Sequence, residues 1–343
     1  MPLVDAAQTP SGAPQPSVRQ RILVLGAGGF IGRRVVQRLG ASDWALPVAA
    51  RHRAPLDPAI AVETLQFDAT QPAAIQNALH GVSGVVNCIA GDSRAIVASA
   101  QALFGAGLQL STPPRIVHLS SMMVYGTATG TADETAVLRG DWDDYSAAKT
   151  QVEQLARSYP SVVQLRPGIV YGPGSPIWSG RIGRWLRQRR LGDLGVAGLG
   201  ICNLVHVDDV VEAVHRALRM PGIDGEVFNL SLPAPPTWND YFRRFAAALG
   251  SSPVSISHAR LMLEQYFLAP PLKVAERLSS ALGFRWRPPE PIRPWLLRLC
   301  AHPLRLDVRK AEEVLGMRWM PLEQGLRQSA AWLLARGPDG KIT

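Results

Sequence analysis

A tyrosine and a lysine stand four positions apart in "YSAAK", Tyr145 to Lys149. On a helix that spacing puts both side chains on one face. A tyrosine near pKa 10 is a poor proton carrier at neutral pH unless a cation stabilises its phenolate. A lysine one turn away can supply that cation and also hold a cofactor ribose. Upstream, "HLSSMMVYG" offers Ser120 and Ser121 at the end of an apolar run. A serine hydroxyl there can hydrogen-bond a substrate oxygen and polarise it. Ser121, Tyr145 and Lys149 together suit proton transfer at a carbinol oxygen while a hydride moves at its carbon. Met122 and Met123 follow the serine and read as an apolar pocket wall, or equally as core packing.

A hydride partner needs a cradle, and "ILVLGAGGFIGRR", Ile22 to Arg34, has the form of one. Gly26, Gly29 and Gly32 are spaced GxxGxxG between an apolar run and a helical pattern that opens on Phe30 and Ile31. The first glycine permits a tight turn. The second lets backbone N–H groups approach a pyrophosphate, and the third lets the helix pack on the strand. The next strand ends "VAARHR", with Arg51 and Arg53 where an NAD site usually carries a carboxylate. Arg33 adds a third cation. Arginine forks suit a 2′-phosphate, so NADP(H) is favoured over NAD(H). Asp68 of "QFDAT" either accepts from an adenine amino group or caps the next helix, with Ala69 beside it. "NCIAG" puts Ala90 and other small residues where the backbone must pass close to a cofactor.

Those motifs sit in a regular frame. Short β-rich runs at 22–25, 47–51, 63–67, 84–89, 115–120 and 162–166 alternate with helical patterns. Apolar runs without strict alternation imply strands covered on both faces. The expected fold is therefore α/β: a Rossmann-like, doubly wound parallel sheet with a smaller, mostly C-terminal substrate lobe. Residues 1–20, rich in Pro, Ser, Gln and Ala, read as a disordered leader without the features of a signal peptide. Residues 21–172 read as the dinucleotide-binding domain. Residues 173–343 read as the substrate lobe, interleaved with the last Rossmann elements near 201–230.

Composition narrows the classes. The 343 residues are 47% hydrophobic and 18% charged, as in an ordinary globular enzyme. No uninterrupted apolar run reaches the length, about 18 residues, that a membrane span needs. Cys88, Cys202 and Cys300 lie far apart, which suggests no metal site and no disulfide framework and fits a reducing cytoplasm. The net charge of +9 gathers in "RIGRWLRQRR", Arg181 to Arg190. This reads first as a solvated helix face and second as attraction for an anionic substrate. No aromatic-rich nucleic-acid motif accompanies it, so no nucleic-acid partner is expected.

In combination, "GAGGFIG", "FDAT", "HLSSMMVYG", "YSAAK", "LRPGIVYGPG" and "NLVHVDDVVEAVHRAL" are similar to the extended branch of the short-chain dehydrogenase/reductase family, the NAD-dependent epimerase/dehydratase type. "RKAEEVLGMRWMPLEQGLRQSAAWL" resembles its C-terminal pattern, so the likeness covers about residues 20–336. The resemblance implies a catalytic triad of Ser121, Tyr145 and Lys149. It implies that Pro167, Ile169 and Val170 flank a nicotinamide and that His206 and Asp209 sit at the edge of the substrate lobe, where Asn203 is a further candidate substrate contact; Asp209 itself reads first as the cap of the helix "DVVEAVHRAL". It also implies a homodimer. The leading expectation is an NADP(H)-dependent oxidoreductase interconverting a carbonyl and an alcohol. The alternatives are a nucleotide-sugar epimerase or reductase with tightly bound NAD(H), and a non-catalytic NADP-sensing scaffold. "GICNLVHVDD" has Cys202 and Asn203 where nucleotide-sugar members carry an Arg-Asp-Phe type segment, and no acid stands beside the serine. Both departures point away from a sugar-nucleotide dehydratase. The small-molecule substrate is thus hydrophobic or a nucleotide sugar. The apolar "LMLEQYFLAPPLKVAERLSSALGF" and "PIRPWLLRLCAHPLRL" read as a packed lobe, with a lid over a hydrophobic substrate or a helix touching a membrane surface as alternatives.

Overall fold

Ile22, Leu23, Val24 and Leu25 are all buried, which a strand achieves only when both faces of its sheet are covered. Ile22 and Val24 pack to one side, Leu23 and Leu25 to the other. The computed structural model describes residues 19–52, 62–257, 292 and 294–336. Its first half runs β1 (Gln20–Leu25), α1 (Phe30–Gly40), β2 (Ala45–Arg51), β3 (Glu63–Gln66), α2 (Pro72–Ala78), β4 (Gly84–Asn87), α3 (Ser93–Leu108) and β5 (Arg115–Leu119). A 3-10 turn over Met122–Tyr125 leads to β6 (Gly130–Ala132), α4 (Asp144–Ala156), β7 (Val162–Pro167) and β8 (Ile169–Tyr171). There follow a π-helical turn over Pro176–Arg181, α5 (Ile182–Arg187), β9 (Leu204–His206), α6 (Val207–Arg219), β10 (Val227–Leu230) and α7 (Trp238–Ala248). The chain closes with α8 (Pro294–Cys300), β11 (Leu304–Leu306), α9 (Arg309–Glu313) and α10 (Leu322–Leu334).

The main sheet has seven strands in the order β10-β7-β5-β4-β1-β2-β3, every neighbouring pair parallel. All six runs expected from the sequence are among them, and β10 is the seventh. This is the Rossmann-like, doubly wound sheet. Chain order reverses between β1 and β4, and the crevice at their carboxyl ends is where ligands bind in such sheets. Val35, Val36 and Leu39 of α1 and Val210, Val214 and Ala217 of α6 cover one face. Ile75 of α2, Leu103 of α3 and Val152 of α4 cover the other. Between β7 and β10 the chain leaves the sheet to make β8, α5 and β9, then returns through α6. A third core joins Trp185 of α5, Trp238, Phe242 and Phe245 of α7, and Leu326 and Leu333 of α10.

Asn203 staples this lobe. Its side chain is fully buried, its Nδ2 donates to the Leu304 carbonyl at 2.8 Å, and its Oδ1 accepts from the Leu306 N–H at 2.9 Å. Asn203→Ala strips two buried backbone groups of their partners. Chemical denaturation is therefore expected to show a loss of about 2–4 kcal/mol, and a change below about 0.5 kcal/mol would refute the staple.

Candidate functional site

The glycine turn opens the site. Gly26 has φ +74°, which residues with a Cβ rarely adopt. A Cβ on Gly32 would collide with the Gly26 carbonyl oxygen, so α1 can start this close to β1 only with glycine there. The loop and the start of α1 form one end of a cleft of about 730 Å³ outside the carboxyl ends of the strands.

Of the residues expected to hold a cofactor, Gly26, Gly29, Phe30, Ile31 and Gly32 line this cleft. So do Arg51, Asp68, Ala69, Ala90, Lys149, Pro167, Ile169 and Val170. Arg53 lies outside the described residues, as does most of the expected leader. Arg51 ends β2, and its buried Nε has no hydrogen-bond partner among the described residues. Asp68 does a local job as well: its Oδ1 accepts from the Thr70 N–H at 2.9 Å and the Thr70 hydroxyl at 2.8 Å. Arg33 is exposed with its Nε 3.4 Å from the Gly29 carbonyl, and is not part of the lining. Arg34 instead ties α1 to Asp208 and to the Pro173 carbonyl, at 2.6 and 2.7 Å. The tight glycine turn and the unpartnered guanidinium nitrogen fit a dinucleotide.

Ser121, Tyr145 and Lys149 meet at the other side of the same cleft. Ser121 caps the 3-10 turn after β5, its Oγ accepting from the Met123 N–H at 3.2 Å. α4 starts at a capping box: Asp143 accepts from the Ser146 N–H, and the Ser146 hydroxyl accepts from the Asp143 N–H. That cap sets the rotation of α4, which presents Tyr145 to the cleft and buries Lys149. The Tyr145 phenol is hydrogen-bonded to Ser121. The Lys149 Nζ lies 5.9 Å from the Tyr145 ring centroid and donates to the carbonyls of Leu119, at 2.7 Å, and Ile89, at 3.2 Å.

Burial pushes the lysine pKa down to about 8, against the pull of Glu153 one turn further along α4. Burial also raises the Tyr145 pKa, and its bond to Ser121 offsets only part of that rise. Burial therefore governs the phenol in this cleft. At neutral pH the phenol keeps its proton and can donate it.

Asn203 and His206, expected at the substrate edge, do not line the cleft. Asn203 is the staple described above. His206 is fully buried, accepts from the Asp208 N–H at 3.3 Å as the cap of α6, and meets the Tyr171 ring edge-on at 5.3 Å. The capping expected of Asp209 thus falls to His206, and Asp209 accepts from the Met320 N–H instead. Met122 and Met123 do line the cleft. Sequence reasoning missed Trp142 and Trp178, which line it beside Met123, while Trp295, which lines it too, falls in "PIRPWLLRLCAHPLRL", the stretch read as a packed lobe or a lid. The signal for those two was weak: Trp142 stands between two aspartates and Trp178 two residues after a proline, outside any regular apolar pattern. Among the described residues no His, Cys, Asp and Glu gather to hold a metal ion, and no helix is long and apolar enough to cross a membrane.

A seven-stranded Rossmann-like sheet with a glycine turn on its switch-point cleft is the architecture of the extended short-chain dehydrogenase/reductase type. The model of the NAD dependent epimerase/dehydratase family matches residues 22–231, and the chain belongs to that family. The chain is 29% identical to protein YeeZ of Escherichia coli (strain K12) over 181 residues, 52% of this chain and 60% of that protein, so the match spans less than two thirds of it. It is 25% identical over 338 residues to 2-alkyl-3-oxoalkanoate reductase of Stenotrophomonas maltophilia (strain K279a), covering 91% of this chain and 98% of that one. Among solved structures, MoeE5 in complex with UDP-glucose and NAD superposes with a TM-score of 0.69 at 25% identity, over 91% of this chain and 98% of that one.

Because the lysine pKa is depressed below the ordinary value of about 10.4, the unfolded chain binds more protons than the folded one between about pH 8 and pH 10.4. Stability from this group therefore rises with pH across that window. Cofactor-free protein should gain unfolding free energy relative to Lys149→Met as pH climbs through it. Parallel pH profiles for the two proteins would refute the depressed pKa.

Proposed function

We propose that the protein is an NADP(H)-dependent reductase that converts a carbonyl compound to its alcohol, with Ser121, Tyr145 and Lys149 as its reacting set. The observation that carries the proposal is the Tyr145 phenol, protonated, hydrogen-bonded to Ser121 and facing the cleft one helical turn from a buried ammonium. When bound, a reduced dinucleotide would supply the hydride to the carbonyl carbon and be left oxidised. Ser121 holds the carbonyl oxygen. The Tyr145 hydroxyl donates its proton to that oxygen as the π bond breaks, so the products are an alcohol and a phenolate. The Lys149 ammonium stabilises that phenolate, and a proton from water restores the phenol. Gly26, Gly29 and Gly32 would pass the pyrophosphate over the start of α1, and Asp68 would meet the adenine end. Arg51, which lines the cleft at the end of β2 with an Nε that has no partner among the described residues, supports a 2′-phosphate, hence NADP(H) over NAD(H).

A ketone reductase agrees with the name of the Stenotrophomonas relative, and a nucleotide-sugar reading with the ligands named for MoeE5. Two substitutions and one screen separate them. Tyr145→Phe should lower NADPH-dependent turnover at least about 100-fold while leaving NADPH affinity intact. Undiminished turnover would overturn the mechanism. Arg51→Ala should weaken NADPH binding by about tenfold or more and leave NADH binding unchanged, as loss of one charge-assisted contact requires. Equal effects on both cofactors would exclude a 2′-phosphate contact. In a thermal-shift screen, stronger stabilisation by UDP-glucose than by NADPH would favour the epimerase reading.

A further inference from the structure

Three of the chain's nine tryptophans line one cleft, together with Met122, Met123 and Leu299. They come from three separate segments. Trp142 precedes the cap of α4. Trp178 lies in the turn Pro176–Arg181, whose backbone is held by the Tyr241 hydroxyl donating to the Trp178 carbonyl. Trp295 lies in α8, where Leu299, four residues on, reaches the same cleft. The rings are mutually braced. Trp178 packs on Trp238 at 5.6 Å between centroids and meets Trp295 edge-on at 6.0 Å. The Arg298 guanidinium lies over Trp142 at 4.1 Å, and His302 meets that ring at 4.8 Å. Trp295 nevertheless stays 37% exposed, a large apolar surface left open beside a concave site.

The two halves of the cleft differ in chemistry. The glycine-loop half carries backbone N–H groups, Arg51, Asp68 and Thr70. The tryptophan half is aromatic and aliphatic, and the charged side chain that lines it beside Trp142 is Asp143, whose carboxylate caps α4, while the Arg298 guanidinium is spent on the Trp142 ring from outside the lining. A diphosphate lying there would face ring surfaces and a negative charge. A hydrocarbon chain would instead replace water on three braced rings.

We propose that Trp142, Trp178 and Trp295 form a subsite for the apolar chain of the substrate, so that the protein takes ketones bearing an extended aliphatic group. This rests on the reductase reading of the same cleft, with the carbonyl at Ser121 and Tyr145 and the chain running along the tryptophans. Specificity then resides in the rings, while the reacting set is indifferent to chain length.

The test uses the full chain and a homologous series of methyl ketones from butanone to 2-decanone. Binding to the NADP+-loaded protein is measured by calorimetry, and turnover with NADPH by absorbance. Affinity should rise about fourfold per added methylene until the cleft is filled. Trp178→Ala should cut affinity for 2-decanone about tenfold or more and leave butanone and NADP+ binding unchanged. Trp295→Ala, on the partly exposed ring, should flatten the chain-length slope in the same way and serves where Trp178→Ala does not fold. Graded binding without NADPH oxidation would leave the subsite standing and remove the reductase reading. Oxidation of NADPH with equal affinity for every chain length would remove the subsite and leave the reductase. A slope unchanged in both tryptophan variants would also overturn the subsite, and absence of both binding and turnover would overturn the two together.

Discussion

α4 carries two charges that water does not reach. The Lys149 side chain is 1% exposed and the Glu153 residue, one turn along, 1%. Each is satisfied by a different part of the sheet. Lys149 donates to the carbonyls of Leu119, at the end of β5, and Ile89, just past β4. Glu153 receives the Arg166 guanidinium from β7 at 2.6 Å and the Ser120 hydroxyl at 2.5 Å. Arg166 continues to the Tyr125 hydroxyl at 2.8 Å, which donates to Asn229 of β10 at 2.7 Å. A single helix is thereby keyed to the carboxyl ends of β4, β5, β7 and β10. Buried ion pairs add little net stability, since desolvation offsets their attraction, but they penalise every arrangement that leaves one partner alone. Rotation or sliding of α4 would strand both charges.

The cleft depends on that fixed rotation. Tyr145 precedes Lys149 by one turn, so the bonds that bury the lysine also aim the phenol at Ser121. Ser120, the neighbour of Ser121, is bound to Glu153, so the serine strand end and the tyrosine helix share one anchor. Strain does not hold the Ser121 and Tyr145 hydroxyls together. They meet because the polar groups behind them have nowhere else to go. The same dry surroundings raise the phenol pKa and lower the ammonium pKa, which sets a proton donor beside a cation that can still lose its charge.

Much of this was legible in the sequence, for identifiable reasons. Strand runs such as Ile22–Leu25 and the glycine spacing are local signals, and so is the four-residue offset of Tyr145 and Lys149. Each reports on backbone geometry within one turn or strand. The misses are tertiary. Asn203 and His206 lie next to motif residues in the chain, but a side chain on β9 or its approach faces the lobe interior, and only the partner at Leu304 and Leu306 reveals the direction. Trp142 and Trp178 come from a connection and a single turn, and Trp295 from a seven-residue helix, all too short for a periodicity that would announce burial. Arg33 and Arg34 look alike in sequence, yet Arg34 is consumed by Asp208 and Pro173 and Arg33 points outward from the first turn of α1.

The division between constant and variable parts follows from the same geometry. The glycine turn, the serine and the tyrosine–lysine helix sit on strand ends of the main sheet, where any drift would break buried bonds. The tryptophans sit on the turn at Pro176–Arg181, on α8 and on the approach to α4, where Trp178 and Trp295 meet each other and Trp142 meets Arg298 and His302. Ring contacts are weakly directional and tolerate replacement by other apolar shapes, whereas a buried ammonium between two carbonyls does not. The tryptophan segments wall the cleft with aromatic rings, and they bound the space that a substrate must fill beyond its reacting carbon.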